Sequence, residues 1–116
     1  MATDLAKFAQ DKGVKFFLMN FTDLFGTQRS KLVPAAAISD MQKSGAGFAG
    51  FAAWLDMTPA HPDMFAIPDA DAVIQLPWKP ELAWVPGDLV VEGKNVEQAP
   101  RNVLQSVIAQ AADHGI

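Results

Sequence analysis

Four carboxylates, Asp56, Asp63, Asp69 and Asp71, fall within sixteen residues of one another. Oxygen ligands of that kind are what a hard divalent cation takes. Their spacing matches no calcium loop, however, and aspartates beside prolines, as Asp63 and Asp69 are, commonly hold turns. The two histidines, His61 and His114, stand far apart. His114 falls at the end of a predicted helix, where an imidazolium favours the dipole. His61, between Pro59 and Pro62, is either a loop ligand or a solvated side chain. Gly45, Gly47 and Gly50 lack the Lys-Ser/Thr that completes a phosphate-cradling loop. No Ser, His and Asp occur in an order that suggests a triad. Of the three tryptophans, Trp84 alternates with strand neighbours and reads as core, and Trp78 reads as a wedge between prolines. Trp54, on a long loop, is the one expected to meet a partner or substrate. By residue chemistry alone, the chain is not a complete enzyme.

The chain has 116 residues, room for one small domain with a modest core. Half the residues are hydrophobic and 19% are charged, a globular composition. A formal net charge of −4, with basic residues scattered along the chain, argues against a nucleic-acid surface. The absence of cysteine excludes a disulfide framework and thiolate zinc sites, and fits a cytoplasmic protein. No apolar run approaches the roughly 20 residues needed to span a bilayer, so no membrane role is expected. Charges come too early in the first thirteen residues for a signal peptide.

The elements are organised around Gly13 to Pro34. Val14 to Leu24 reads as a strand apolar on both faces, with Val14, Phe16 and Leu18 on one and Phe17, Met19 and Phe21 on the other. Such a strand belongs inside a sheet, covered on both sides. Gly26 turns the chain, and Gln28 to Val33 returns until Pro34, which has no N–H for the ladder. Before this hairpin, Thr3 to Lys12 predicts a helix capped by Thr3 and stopped by Gly13. After it, Ala35 to Lys43 predicts a short helix with Ile38 and Met41 inward, closed at Gly45.

Ala46 to Ala53 is either a strand approached closely by other backbone or a mobile loop. Trp54 to Pro68 reads as a long loop, functional or mobile. Val73 to Leu76, Leu82 to Val85 and Asp88 to Val91 read as strands, the last two separated by a bulge or bend at Pro86-Gly87. Gly93 to Asn95 reads as a turn. Pro100 to His114 is the clearest helix, with Val103, Leu104, Val107, Ile108 and Ala111 in one apolar stripe. Nothing after it covers the stripe, which either folds back on the sheet or opens a second domain. The expected fold class is α+β.

Phe21-Thr22-Asp23 with Gly26, then Pro34, Pro68-Asp69, Leu76-Pro77-Trp78 and Pro100-Arg101-Asn102-Val103-Leu104 occur in an order that resembles the N-terminal domain of the glutamine synthetase family. The resemblance runs from about Val14 to Ile116. It implies a β-grasp domain over residues 1–99, a mixed sheet with a central hairpin packed on a helix. Residues 100–116 become the first helix of a catalytic domain. In the family that second domain supplies glutamates for magnesium or manganese, the ATP site and the glutamate site. Subunits form ring-shaped homo-oligomers in which each active site lies between one subunit's catalytic domain and its neighbour's N-terminal domain. The reaction passes through a γ-glutamyl phosphate attacked by ammonia or another amine. The 116 residues alone are expected to be inactive, with no catalytic residue, metal ligand or cofactor of their own.

The chain departs from the family at one informative place. The family's Phe-Asp-Gly-Ser-Ser segment, fifteen residues before an Asp-Met pair, here reads Phe48-Ala49-Gly50-Phe51-Ala52, with Asp63 at the same distance from Phe48. The carboxylate that in the family holds and deprotonates ammonium is Ala49, and Phe51 and Ala52 replace two hydroxyls. This pattern is similar to the divergent type III and γ-glutamylmethylamide synthetase branch, and an apolar loop suits an alkylamine. The implied substrate-binding set is Phe48, Ala49, Gly50, Phe51, Trp54 and Asp63. Polyamine or ethanolamine ligases, and a plain β-grasp interaction module, are the alternatives.

Overall fold

The computed structural model describes residues 2–116. Helix α1 (Leu5–Lys12) is capped by Asp4, whose carboxylate accepts the N–H groups of Ala6 and Lys7 at 3.0 and 3.3 Å. The cap falls one residue later than the sequence suggests. Thr3 is drawn elsewhere: its N–H and hydroxyl donate to Asp71 at 2.8 and 3.0 Å. Those Thr3 donors hold the Asp71 carboxyl below the usual carboxylate range against the opposing effect of desolvation. Gly13, at φ 71°, ends α1 in the left-handed conformation that glycine adopts without strain.

Strands β1 (Phe16–Thr22) and β2 (Gln28–Pro34) form the expected antiparallel hairpin, from Phe16 opposite Pro34 to Thr22 opposite Gln28. A short 3-10 turn leads into α2 (Ile38–Ser44), which buries Ile38 and ends at Gly45. Strand β3 (Ala46–Phe48) and a 3-10 turn (Gly50–Ala53) follow. The fold is then completed by β4 (Met64–Pro68), β5 (Ile74–Gln75), β6 (Leu82–Val91), β7 (Lys94–Asn95) and α3 (Pro100–Asp113). The result is the expected α+β class. The sheet runs β2-β1-β6-β4-β3, with β5 and β7 added along β6.

Strand β6 is its spine and differs from the predicted pair of segments. It passes through Pro86-Gly87 without breaking and changes partner there. Residues 82–86 run parallel to β1, and residues 87–90 run antiparallel to β4. The change needs a residue with no side chain: a Cβ on Gly87 would lie 2.8 Å from the Ala66 Cβ and 3.2 Å from the Asn20 carbonyl oxygen. Strand β4 occupies the end of the predicted Trp54–Pro68 loop. Met64, Ala66 and Pro68 are buried while Phe65 is exposed and Ile67 half-buried, a period of two hidden by its brevity and its terminal proline. Hairpin β6–β7 turns at Glu92 and Gly93, both at positive φ (50° and 78°), one step before the predicted turn.

One face of the sheet is closed. Leu5 and Ala9 of α1 and Ile38 of α2 pack on Phe17, Met19, Val33, Ala83 and Val85. A second cluster joins Phe21, Leu55, Met64, Ala66 and Leu89 under Val96 and Ala99. The full burial of Phe17, Met19 and Leu5 contributes about 1.5–3 kcal/mol apiece.

Much of the opposite face is open, contrary to the expected double-sided cover, although Asn20 and Pro86 at one end of it are buried. Register places Leu32, Leu18, Trp84 and Ile74 side by side across four strands, with Leu32 and Ile74 exposed and the other two half-buried. Trp84 is therefore not a core residue: Trp84 and Leu18 line an apolar hollow of about 350 Å³ with Trp78 on its rim. Trp78, 79% exposed, is not wedged between its prolines. The α3 stripe does not fold back on the sheet either. Val103, Leu104, Val107 and Ile108 are exposed, and Asn102 is the helix residue that is buried.

Candidate functional site

The candidate site lies at the end of the domain where the β1–β2 turn meets the segment after β3. The turn is built by Asp23, which is 1% exposed. One carboxylate oxygen accepts the N–H groups of Phe25 and Thr27 at 3.0 and 2.9 Å, and the other takes Arg29 Nε at 2.9 Å. Burial pushes this carboxyl up, but the Arg29 bond and the two backbone donors outweigh it and hold it below the usual range. Leu24 and Phe25 are consequently presented outward, 52% and 75% exposed. In the sequence Asp23 stands out only as the last residue of Phe21-Thr22-Asp23. Its signal was an aspartate before a glycine turn with an arginine on the return strand.

The second half of the site is pinned to this turn. Leu24 N–H donates to the Ala53 carbonyl at 3.1 Å, and the Trp54 ring meets Phe25 edge-on at 5.8 Å. Gln98 donates to the Leu55 carbonyl at 2.8 Å, and Leu55 itself is buried. The segment is thus an anchored loop with exposed apolar tips, Phe51 at 46% and Trp54 at 57%. Trp54 and Asp56 adopt left-handed backbone, at φ 60° and 55°. Such residues without glycine's freedom cost about 1–3 kcal/mol each and cluster where a loop has work to do.

The predicted set comes together with different degrees of exposure. Phe48, half-buried at the end of β3, sits edge-on to Phe21 at 4.6 Å. Ala49 is half-buried and extended, at φ −77° and ψ 119°. Gly50 is buried against Met57, where a Cβ would fall 2.4 Å from the sulfur. Phe51 and Trp54 are the exposed members, as expected for Trp54. Asp63 is exposed and immediately precedes Met64, the partner of Phe48 in the last pair of the β3–β4 ladder. Ala49 and Asp63 are thus the first residues beyond the ladder on the two strands. The side chain of Ala52 lies outside the described residues.

The remaining candidates for chemistry have structural partners. Asp69 and Asp88 both bind Arg101, the latter at 2.8 Å through Nε. Asn102 donates to the Leu89 and Val96 carbonyls at 3.1 and 2.7 Å. These contacts fasten the start of α3 to the sheet. They border a hollow of about 390 Å³ between Asn20, Trp84, Arg101 and Leu104. His61 accepts the Thr58 N–H at 2.9 Å, and His114 Nδ1 lies 2.9 Å from the Gln110 carbonyl oxygen at the end of α3. Among the described residues no three His, Asp or Glu side chains gather where they could hold a metal ion, so the four aspartates form no cation site. No described helix is long and apolar enough to cross a membrane.

No protein-family model matches the chain. It is similar, at 64% identity over 116 residues, to a glutamine synthetase of Rhizobium leguminosarum bv. phaseoli, covering all of this chain and 27% of that protein. A glutamate–methylamine ligase of Methyloversatilis universalis is 35% identical over 115 residues, covering 97% of this chain and 26% of the relative. The solved structure of a GmaS–ADP complex superposes with a TM-score of 0.93 at 59% identity, covering 97% of this chain and 26% of that one. The chain thus spans about a quarter of the length of the relatives it matches.

Proposed function

Because this chain matches the N-terminal region of the glutamine synthetase family over almost its whole length, we propose that the full-length protein is a ligase forming γ-glutamyl amides. It joins the γ-carboxylate of glutamate to ammonia or a small alkylamine at the expense of ATP. The observation that carries this reading is the 64% identity to a glutamine synthetase along all 116 residues. In this reading residues 1–99 are a β-grasp domain and 100–116 open the catalytic domain. The uncovered stripe of α3 and the open sheet face are the surfaces that the rest of a ring-shaped, cytoplasmic homo-oligomer covers.

ATP and magnesium or manganese belong to the remainder of the protein. The described residues offer no carboxylate cluster for a cation.

The contribution of this chain is the loop from Phe48 to Asp63, presented to the amine side of a neighbouring subunit's site. Phe48, Phe51 and Trp54 provide apolar walls, Gly50 the close turn over Met57, and Asp63 a carboxylate at the far end of the loop. Methylamine as acceptor is favoured by one specific observation: the residue at position 49 is a half-buried alanine rather than an acid. Burying one methyl group stabilises by roughly 0.8 kcal/mol, a several-fold preference. Ala49→Asp fits the extended backbone, and its charge should favour the smaller, better-solvated ammonium ion. The test compares kcat/KM for ammonium and methylamine in the full-length enzyme and in Ala49→Asp. A shift of about fivefold towards ammonium is expected, and an unchanged ratio removes the loop from the acceptor site.

A further inference from the structure

The sheet path begins at β2 and ends at β3, two strands that share no ladder. The curl of the sheet nevertheless brings these ends together. Lys31 lies on the same face of β2 as Arg29, opposite Met19 of β1. Its ammonium donates to the Gly47 carbonyl at 2.6 Å and stands 5.4 Å from the centre of the Phe48 ring. The same ring meets Phe21 edge-to-face, with centroids 4.6 Å apart. Phe48 therefore has both an aromatic and a cationic neighbour, and the Gly47 carbonyl just before it is fixed by a charge-assisted bond. Strand β3 needs this support, since it is joined to the sheet by three residue pairs with β4 alone.

We infer that Lys31 is a positioning residue for amine selection: it clasps the two sheet ends and so fixes where Phe48 and Ala49 launch the acceptor loop. The inference rests on the loop reading above. In this role Lys31 acts on the loop rather than on the acceptor itself. It acts by limiting the positions of the first loop residues, which decides whether a methyl group meets a wall or open space. A methionine at position 31 keeps the aliphatic stem but removes the bond and the charge. An arginine keeps a cation over Phe48 and a donor for Gly47.

The experiment uses full-length enzyme with Lys31→Met, Lys31→Arg and, as a control on the loop itself, Ala49→Asp. Backbone hydrogen exchange over residues 48–54 and kcat/KM for ammonium and methylamine are measured for each. Lys31→Met should exchange about fivefold faster over 48–54, in line with loss of one charge-assisted bond, and should narrow the ratio between the amines. Lys31→Arg should restore both. Unchanged exchange in Lys31→Met overturns the clasp whatever the kinetics show. Faster exchange with an unchanged amine ratio, while Ala49→Asp does alter it, overturns the role in selection. If neither variant alters the ratio, the loop reading fails and this inference fails with it.

Discussion

Replacing Gly87 by alanine adds one methyl group at the point where β6 leaves β1 for β4. The new Cβ would lie 2.8 Å from the Ala66 Cβ on one side and 3.2 Å from the Asn20 carbonyl oxygen on the other. Neither neighbour is the end of a flexible side chain. Ala66 is fully buried in its strand, and the Asn20 oxygen belongs to the backbone of β1. Relief therefore requires β4 to move away from β6, which opens the cluster of Leu55, Met64 and Leu89. Overpacking of this kind costs about 1–3 kcal/mol. For a chain of this size the expected fall in Tm is roughly 4–12 °C. Thermal unfolding of residues 1–116 by circular dichroism measures it. Ala66→Gly removes the nearer obstacle, so the double variant should recover about 1 kcal/mol relative to the sum of the single changes. A Tm for Gly87→Ala within about 2 °C of the parent, or strictly additive single changes, would refute the close-approach argument.

Two further outcomes follow from other parts of the fold. The depressed Asp23 carboxyl contributes stability that is fully present above its unfolded value, about 3.9, and is lost as pH falls through the lower folded value. Asp23→Asn should lower Tm at neutral pH and flatten the acid limb of the Tm–pH curve; an unaltered acid limb would show that Asp23 does not drive it. Residues 1–116 should self-associate in sedimentation through the uncovered α3 stripe, where Leu104 and Ile108 are each 59% exposed. Leu104→Lys with Ile108→Lys should weaken that association by more than about tenfold, since each leucine-sized burial is worth about 1.5–3 kcal/mol. A monomeric parent at high concentration counts against it.

What the sequence made legible was local. Glycine stops after α1 and α2, the aromatic run of β1 and the 3.6-residue stripe of α3 each state their element within a few neighbouring residues. What it concealed depended on partners distant in the chain. β4 is five residues long and ends in proline, so its alternation becomes meaningful only beside the second half of β6. Pro86-Gly87 reads as an interruption because the rule behind that reading assumes one partner for the whole strand. Trp84 alternates correctly but faces the open side, and alternation alone does not say which side is covered. The Phe48–Trp54 loop was legible as a departure from a family pattern. Its anchoring by Leu24, Phe25 and Gln98 was not, because those contacts join segments that carry no common signal.

The residues by which the chain resembles the glutamine synthetase family are mostly the ones that build it. Asp23 of the Phe-Thr-Asp motif ties the β1–β2 turn. Asp69 of Pro-Asp and Arg101 of Pro-Arg-Asn form one ion pair between motifs 32 residues apart. Asn102 of the same motif fills the corner between β6 and the segment after β7. Removing any of them leaves a buried or half-buried polar partner unmet, which costs more than the bond itself contributes. A scaffold made in this way can vary what it carries without losing its shape. The segment from Ala49 to Leu55 is anchored at its own carbonyls, by the Leu24 N–H at Ala53 and the Gln98 side-chain amide at Leu55, which constrain its path but not its exposed side chains. Side chains at 51 and 54 can therefore change while the hairpin and sheet stay fixed, and under the proposed function these, with the half-buried position 49, are where acceptor preference is to be tested.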